Sequence, residues 1–412
     1  MSKISPFRAI RPSRDKVHLV ATRPYYSYKK NVLEAKLEDN PYTFLHIINP
    51  EFGLNPDAKT DPNSDERFEL VLERYDEFLK EGILIHEDVP SLYVYRQTKN
   101  GHEFTGIIGG ASIEEYENDK IKKHEATLTS RERVFTNYLN IVGYNAEPVL
   151  LSYQGNEHID LLLEEVLSQR PEYEFSTTDR IKHELWKLNP LETIAFVKAF
   201  EDVSDLYIAD GHHRSASSAG LKKMRSANPH NFPNEDFFLA CMMDERKLKI
   251  LEFNRLVRSL NNLSKEAFIA KLTEHFEVTK KNTIFKPTEE HTFGLYLQGE
   301  WYALQAKPSS IQQDHPVKSL DPQILTDFIL SPILGIADLK TDPNISFMSG
   351  AETIEKLIEK VDSGMYAAAF ILVPVNMEQV KRVADHQLIM PPKSTWVEPK
   401  LRSGLTIYNI NE

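Results

Sequence analysis

Residues 207–219 have the sequence Tyr-Ile-Ala-Asp-Gly-His-His-Arg-Ser-Ala-Ser-Ser-Ala, and the expected fold is organised around them. The apolar start is typical of the end of a short buried strand, and the small residues from Ser215 onward are typical of a closely packed helix. Gly211 lies between them and can adopt backbone angles that other residues avoid. We therefore predict a strand, a tight turn and a helix, with the polar side chains at the turn.

The chemistry of this turn favours an anion-binding site. A helix that begins near His212 directs backbone N–H groups and the positive end of its dipole at the turn. Arg214 adds a planar fork suited to phosphate or carboxylate, and His213 adds a second imidazole. Asp210 would repel a bare anion, so we expect it to hold a metal ion or a substrate hydroxyl. The alternative is an ordinary strand-to-helix turn whose polar groups face solvent.

The flanking segments indicate an α/β protein. Strand-like and helix-like patterns alternate through residues 148–253, which is typical of an α/β core. Apolar residues at helical spacing predict a helix over 68–79 and another over 264–277. The apolar run Phe44–Ile48 predicts a strand.

A chain of 412 residues is long enough for two or three domains. We place a soft boundary near residues 255–265, because no flexible linker marks a sharper one. The expected domains are 1–260, which carries the central turn, and 261–412, which is expected to return the segment 390–395 to the same site.

Composition excludes several classes of protein. Apolar residues make up 41% of the chain, and 49 Lys and Arg against 61 Asp and Glu give a net charge of −12. This acidic balance makes nucleic-acid binding unlikely and gives no support for an anionic membrane surface. Cys241 is the single cysteine, so disulfides within the chain are excluded. With no signal peptide and no apolar run of membrane-spanning length, the expected location is the cytoplasm.

A second concentrated motif lies near the end of the chain, in the sequence Met390-Pro-Pro-Lys-Ser-Thr-Trp396 followed by Pro399-Lys400. Lys393, Ser394 and Thr395 supply a point charge and two hydroxyls, which together can bind phosphate. The motif lacks the glycines of a P-loop. A surface turn whose polar groups face water is the alternative.

Two further segments carry polar side chains of interest. His124 and Glu125 follow a cluster of lysines and are either one wall of an anion pocket or a solvated face. His183 alternates with apolar neighbours in a predicted strand, and taken alone it would be a core histidine.

Together these motifs resemble one large bacterial and archaeal family that is labelled a domain of unknown function. The resemblance rests on segments spread over nearly the whole chain: Pro6–Pro12, Lys123–Thr127, His183–Trp186, Ala209–Arg214, Met390–Thr395, Pro399-Lys400 and Ser403–Leu405. The Asp-Gly-His-His-Arg element is also similar to one in free L-serine kinases of the ParB/sulfiredoxin-like fold, where it contacts nucleotide phosphates beside the substrate serine. The resemblance implies an α/β fold with a ParB/sulfiredoxin-like core and elaborations at both ends.

This sequence departs from the family pattern in two places. Tyr26 follows Pro24-Tyr25 where Pro-Tyr-Asp is expected, and Glu252-Phe-Asn-Arg255 stands where Pro-x-His-Arg is expected. An acid and an imidazole are therefore missing at these positions.

The expected function is phosphoryl transfer to a small hydroxyl metabolite, with free L-serine as the first candidate and ATP, ADP or pyrophosphate as donor. Asp210 or Glu125 would orient the hydroxyl or hold Mg²⁺, which takes oxygen ligands. Phosphate or nucleotide binding is assigned to Gly211, His212, His213, Arg214, Lys393, Ser394 and Thr395. Contact with the substrate or support of these groups is assigned to His124, His183 and Lys400.

Two alternatives remain open at this point. One is a ParB-like regulatory protein that binds a nucleotide without turnover. The other is a metal-dependent phosphohydrolase, although adjacent residues such as His212 and His213 are poor joint ligands of one metal. The partners expected in every case are a small molecule and a phosphate donor.

Overall fold

The structure is a computed structural model that describes residues 2–55, 57, 59–227 and 232–412. The chain forms two compact units. The first unit comprises residues 1–123, 127–248 and 399–412, and the second comprises 124–126 and 249–398. The chain thus leaves the first unit after Leu248, whereas the predicted boundary lay after residue 260, and its last residues return to the first unit.

Strands within the described residues are β1 (Ile4–Ser5), β2 (Ala9–Pro12), β3 (Leu84–His86), β4 (Tyr93–Lys99), β5 (His102–Ser112), β6 (Ile121–Lys122), β7 (Tyr144–Asn145), β8 (Val149–Tyr153), β9 (Tyr173–Ser176), β10 (Lys182–Lys187), β11 (Leu206–Asp210), β12 (Phe237–Asp244), β13 (Lys249–Leu251), β14 (Phe253–Val257), β15 (Phe276–Lys281), β16 (Thr292–Leu297), β17 (Glu300–Ala306), β18 (Ile345–Ser349), β19 (Ala368–Ile371), β20 (Trp396–Glu398) and β21 (Ile407–Asn409).

The α-helices within the described residues are α1 (Val17–Val20), α2 (Lys30–Asp39), α3 (Leu45–Ile48), α4 (Asp65–Lys80), α5 (Ile113–Glu117), α6 (Thr129–Val142), α7 (Glu157–Leu167), α8 (Pro190–Phe200), α9 (His212–Arg225), α10 (Lys265–Leu272), α11 (Asp321–Leu325), α12 (Ile354–Asp362) and α13 (Met377–Asp385). Short 3₁₀ helices cover Tyr25–Ser27, Pro233–Asp236 and Pro308–Ser310, and a π-helix covers Thr326–Leu330. The protein is therefore a mixed α/β protein.

The larger sheet of the first unit positions the central turn. Within the described residues it has nine strands in the order β6-β11-β8-β12-β5-β4-β10-β9, with β1 on β5. Strand β11 is parallel to β6 and antiparallel to β8, and β12 is parallel to β8. Buried residues of β8, β11 and β12 share one apolar core with α7 and α8. This core fixes the strand from which the polar turn extends.

A smaller sheet of the first unit includes the end of the chain. Its order is β3-β2-β21-β7, so β21 pairs with β2 on one side and with β7 on the other. Residues near 400 are therefore held in the first unit by backbone pairing of the strand that follows them.

The second unit is built on an antiparallel sheet with the order β15-β17-β16-β19-β14-β18. Strands β13 and β20 form a separate antiparallel pair. Apolar residues of β16, β17 and β19 are buried against α10 and α11.

Most of the predicted elements are confirmed. Helix α4 covers the predicted helix over 68–79, and the Ser64 hydroxyl caps it by accepting the N–H of Arg67. The alternating α/β pattern over 148–253 corresponds to β8, α7, β9, β10, α8, β11, α9, β12, β13 and β14.

One predicted element is wrong and another is confirmed only in part. Residues 45–48 form helix α3 instead of a strand, because a short continuous apolar run does not distinguish a buried helix from a buried strand. The helix predicted over 264–277 ends at Leu272, and Phe276 begins β15, which pairs with β17. Pairing with a strand distant in sequence outweighs the local helical pattern there.

None of the helices in the described part of the chain combines the length and the apolar character needed to cross a lipid bilayer.

Candidate functional site

The central turn has the geometry expected from its sequence. Strand β11 ends at Asp210, Gly211 adopts φ +108°, and α9 begins at His212. The ladder between β11 and β8 shifts register between Ile208 and Asp210. A bulge of this kind redirects the side chains that follow it, so it separates Asp210 from the regular ladder. The predicted strand, turn and helix are confirmed.

Glycine is required at the turn for two reasons. Its φ lies in a region that residues with a side chain rarely adopt. A Cβ atom at Gly211 would also lie 2.9 Å from Nε and Nη2 of Arg214. The guanidinium therefore occupies the space that the missing side chain leaves.

Asp210 is the centre of a cluster of charged side chains in the first unit. Lys400 Nζ donates to its Oδ1 at 2.8 Å, and Arg214 Nη2 donates to its Oδ2 at 2.8 Å. Arg214 Nη1 donates to Glu147, whose second oxygen accepts the Ser403 hydroxyl at 3.1 Å. Two cations and two carboxylates thus alternate, and we call Asp210, Arg214, Lys400 and Glu147 the charged cluster.

The charged cluster is partly open to solvent. The side chains of Arg214 and Asp210 are 24% and 28% exposed, and those of Lys400 and Glu147 are 20% and 21% exposed. Burial raises the pKa of Asp210, but the charges of Lys400 and Arg214 outweigh burial and hold that pKa below its ordinary value. Burial lowers the pKa of Arg214, and Glu147 and Asp210 more than reverse this effect. Asp210 and Arg214 are therefore both charged near neutral pH.

Tyr26, where the resemblance led us to expect an acid, contributes to the same region. Most of its surface is exposed, at 63%, yet its hydroxyl interacts electrostatically with Asp210, Arg214 and Glu147. Burial around the hydroxyl and the negative charges of Asp210 and Glu147 raise the pKa of Tyr26, with Arg214 acting in the opposite direction. A neutral hydroxyl group therefore lies beside the charged cluster.

His183 lies in a buried polar network of the first unit. It is fully buried, and its ring is stacked between those of Tyr95 and Phe175. The Tyr95 hydroxyl is 2.8 Å from Nδ1, and Thr177 Oγ1 is 3.2 Å from Nε2. Burial is the main cause that lowers the pKa of His183 to about 3, so the imidazole is neutral. In the structure His183 supports the sheet and is separated from solvent.

The segment around Lys400 connects this network to the charged cluster. Gln97 Nε2 donates to the Lys400 carbonyl at 3.3 Å, and Arg402 Nη2 donates to both carboxylate oxygens of Asp179 at 2.9 Å. Arg402 is only 4% exposed. The predicted site residue Lys400 is therefore fixed at Asp210 by contacts of its own backbone and of its neighbours.

Three of the predicted phosphate-binding residues, Lys393, Ser394 and Thr395, belong to the second unit. Lys393 adopts φ +58° and its Nζ lies 5.5 Å from the centre of the Phe253 ring. The Ser394 hydroxyl is buried and donates to the Pro391 carbonyl at 2.7 Å. The side chains of Lys393 and Ser394 thus contact other residues of the second unit.

Arg255 is the cation beneath that turn. It is 1% exposed, its Nη2 donates to the Lys393 carbonyl at 3.1 Å, and its Nη1 donates to the Phe253 carbonyl. Its guanidinium also lies 5.4 Å from the centre of the Phe347 ring. Burial lowers the pKa of Arg255 to about 9.

His124 and Glu125 are also part of the second unit. The His124 carbonyl accepts the N–H of Met390 at 2.8 Å, so these residues adjoin the motif that begins at Met390. His124 is 2% exposed, and burial lowers its pKa to about 4. That these groups and the central turn form one pocket stays a prediction, as does the catalytic role of Glu125.

The residues present do not fit a Mg²⁺ ion held by the protein. Both oxygens of Asp210 are engaged by Lys400 and Arg214, and both oxygens of Glu147 are engaged as well. In the described part of the chain, no group of three or more His, Cys, Asp or Glu side chains is arranged to hold a metal ion. We therefore derive no step through a resident metal.

Several residues of the site have no signal in the sequence. Glu147 lies in no motif, and its role depends on contacts with Arg214 and Ser403, which are distant in sequence. Ser403 belonged to a recognised motif without an assigned role. Tyr26 could be noticed only as a departure from the family pattern.

Residues 4–323 match the model of a family described as Protein of unknown function (DUF1015). This match covers well over half of the chain. The chain belongs to this family. No curated protein matches it.

Comparison with solved structures gives distant similarities. A free serine kinase in complex with AMP is 15% identical, with coverage of 71% of this chain and 87% of that chain and a TM-score of 0.35. A conserved hypothetical protein from Pyrococcus furiosus is 14% identical, with coverage of 73% and 92% and a TM-score of 0.34. SbnI from Staphylococcus aureus, truncated at its C-terminus, is 8% identical, with coverage of 71% and 82% and a TM-score of 0.36.

Proposed function

We propose that this protein transfers a phosphoryl group from a nucleotide or pyrophosphate to the hydroxyl of a small metabolite. The observation that carries the proposal is the charged cluster at the N-terminus of α9, where Arg214 and Lys400 are both held on Asp210. Free serine is the first acceptor to test, because the Asp210–Arg214 element resembles that of free L-serine kinases. We further propose that the nine-stranded sheet contains a ParB/sulfiredoxin-like core.

The cations are suited to a phosphate donor. Arg214 and Lys400 are partly exposed, and their carboxylate partners fix them before a ligand arrives. Fixed cations at the positive end of a helix dipole stabilise negative charge without reorganisation during the reaction. The proposed role of Arg214 and Lys400 is to neutralise the donor phosphates.

Asp210 is suited to orient the acceptor hydroxyl. Its low pKa makes it a weak base, but phosphoryl transfer proceeds through a loose transition state that requires positioning more than proton removal. One lone pair of a carboxylate oxygen can accept the substrate hydroxyl while the cations remain bound. The Tyr26 hydroxyl, neutral at physiological pH, is placed to donate to the same substrate.

The deciding experiment measures phosphoserine formation by ³¹P NMR, with serine and with ATP, ADP or pyrophosphate in the presence of Mg²⁺. Asp210→Asn keeps the shape of the side chain but loses the charge, so turnover should fall by a factor of about 10² or more. Arg214→Ala should mainly raise KM for the donor.

Asp244→Asn is the matched control. Asp244 is a carboxylate at the end of another strand of the same sheet, and its ion-pair partner is Arg246. This variant should keep wild-type turnover. Full turnover in Asp210→Asn would remove Asp210 from the mechanism, and the absence of any phosphorylated product from the wild type would overturn the proposed function.

A further inference from the structure

Two arginines face each other across a backbone bridge in the first unit. Thr22 N–H donates to the Ser403 carbonyl at 3.1 Å, and Ser403 N–H donates to the Thr22 carbonyl at 2.9 Å. The bridge is antiparallel, so Arg23 lies opposite Arg402 in the same register. Side chains at opposed positions project to the same face, and two like charges so placed repel each other unless an anion lies between them.

Asp179 forms an ion pair with Arg402 and lies within electrostatic range of Arg23. Asp179 accepts Nη2 of Arg402 with both oxygens, and its pKa is affected by the charge of Arg23 as well. Arg23 forms no ion pair with any carboxylate among the described residues, and its partial burial limits its hydration. Two guanidinium groups against one carboxylate leave one positive charge uncompensated.

Both arginines are held ready for a ligand. The Arg23 guanidinium lies 4.5 Å from the centre of the Tyr28 ring, and the Tyr28 hydroxyl accepts the backbone N–H of Arg23 at 3.0 Å. Arg402 is 4% exposed, and its Nε atom is buried without a hydrogen-bond partner. A buried N–H of a charged group without an acceptor is costly, and a ligand oxygen would relieve that cost.

We propose that Arg23 and Arg402 form a subsite for the carboxylate of the acceptor substrate. The planar forks of two arginines match the oxygens of a carboxylate. Lys400 of the charged cluster is two residues from Arg402, which in extended chain corresponds to about 7 Å. That separation suits a small acid whose hydroxyl reaches Asp210 while its carboxylate reaches the arginines.

This inference rests on the proposed function and narrows it. The acceptor class is a hydroxyl-bearing carboxylic acid, an amino acid such as serine being one example. Alcohols of the same size without a carboxylate would lack the partner for Arg23.

The test compares serine with serinol, which replaces the carboxylate by a hydroxymethyl group. Arg23→Gln should raise KM for serine about 10-fold or more, because a charge-assisted hydrogen bond is lost. It should leave KM for serinol and KM for the donor unchanged. Equal changes for serine and serinol would overturn the subsite.

Arg14→Gln is the matched control, since Arg14 is an exposed arginine in the same N-terminal segment. It should leave all three KM values at the wild-type level. Thermal melting of both variants shows whether the fold is intact.

Calorimetric titration separates failure of the subsite from failure of the proposed function. Wild-type protein is titrated with serine, glycerate and inorganic phosphate without any donor, and Arg23→Gln is titrated in the same way. Loss of serine and glycerate binding in Arg23→Gln supports the subsite even if no phosphoryl transfer is found. Binding of phosphate alone, or of none of the three, overturns the carboxylate subsite.

Discussion

Arg214 in the first unit is mostly buried and Arg255 in the second unit is fully buried, and the two charges are balanced differently. Arg214 donates to two carboxylates, and their charges raise its pKa above the ordinary value. Arg255 donates to two backbone carbonyls, and burial lowers its pKa to about 9. The first guanidinium is held by opposite charge, whereas the second is held by carbonyl dipoles and an aromatic ring.

The difference shows that the surroundings of a largely buried arginine decide how much its charge contributes to the free energy of unfolding. A paired charge is compensated, so removing either partner leaves the other charge uncompensated. A cation held by carbonyls retains most of its desolvation cost, so replacing it with an apolar side chain of similar volume also removes that cost. The two arginines should therefore respond in opposite ways to the same substitution.

The largest expected effect comes from replacing each arginine with methionine. Arg214→Met leaves Glu147 without its cation and should lower the free energy of unfolding by about 3 kcal/mol. Arg255→Met removes two hydrogen bonds, but it also removes the cost of a buried charge. The free energy of unfolding should therefore fall by at most about 1 kcal/mol. Urea unfolding of both variants measures the two values.

An equal decrease in the free energy of unfolding of these two variants would contradict the proposed difference between the two arginines. A larger loss in Arg255→Met would mean that the hydrogen bonds to Phe253 and Lys393 outweigh the cost of the buried charge.

Gly211 allows a second test of this comparison. Its missing side chain leaves the space that the Arg214 guanidinium occupies. Gly211→Ala should cost about 2 kcal/mol, because the new Cβ meets the guanidinium and the backbone is strained. Gly82→Ala is the control, since Gly82 also has a positive φ, +68°, but no atom lies within 4 Å of the added Cβ.

Gly82→Ala should cost about 1 kcal/mol, which is the backbone strain alone. If the two variants melt at the same temperature, the clash with Arg214 is relieved by a shift of the side chain.

His183 tests a third way of burying a basic group, which is to keep it neutral. Its pKa is about 3 in the folded protein and 6.5 in the unfolded chain, so between these values the unfolded chain binds the additional proton. The corresponding stability is complete above pH 6.5 and falls by about 1.4 kcal/mol for each pH unit below it, down to about pH 3. His183→Gln should remove this slope.

Measurement of unfolding free energy between pH 7.5 and 5 tests this prediction. His124, with a folded pKa of about 4, adds a slope of the same sign that persists in His183→Gln. His158→Gln, which changes an exposed histidine, is the control for the loss of a histidine as such. An identical profile in His183→Gln would mean that the imidazole is protonated in the folded protein.

The smallest expected effect is at an ion pair on the surface of the second unit. Glu252 is buried, but its partner Lys286 is 59% exposed, at 3.1 Å. Lys286→Ala should lower the free energy of unfolding by about 0.5 kcal/mol, because water screens the exposed partner. A loss of several kcal/mol would show that Glu252 depends on Lys286 as Asp210 depends on its cations.

Local pattern was sufficient for the strand, turn and helix at Asp210, because each part has its own signal in consecutive residues. It was not sufficient for α3, where four apolar residues fit either a helix or a strand. Only part of the charged cluster could be predicted from the sequence. Asp210, Arg214 and Lys400 carry motif signals, whereas Glu147 is recruited by contacts that form only in the folded chain.

The ion pairs of Arg214 were not predicted from the sequence. Arg214 was expected to offer its charge directly to an anion, and the structure shows it already bound to two carboxylates. Asp210 is only four residues from Arg214, whereas Glu147 is distant in sequence and meets Arg214 only in the folded chain.

The return of residues 399–412 to the first unit has a consequence for the order of events during synthesis. Strand β21 pairs with β2 on one side and β7 on the other, so this sheet remains incomplete until the ribosome has also made the whole second unit. At roughly 5–20 residues per second, that delay is on the order of ten seconds. The nascent first unit must wait with two unpaired strand edges and with Asp210 lacking Lys400, while the second unit is already free to fold.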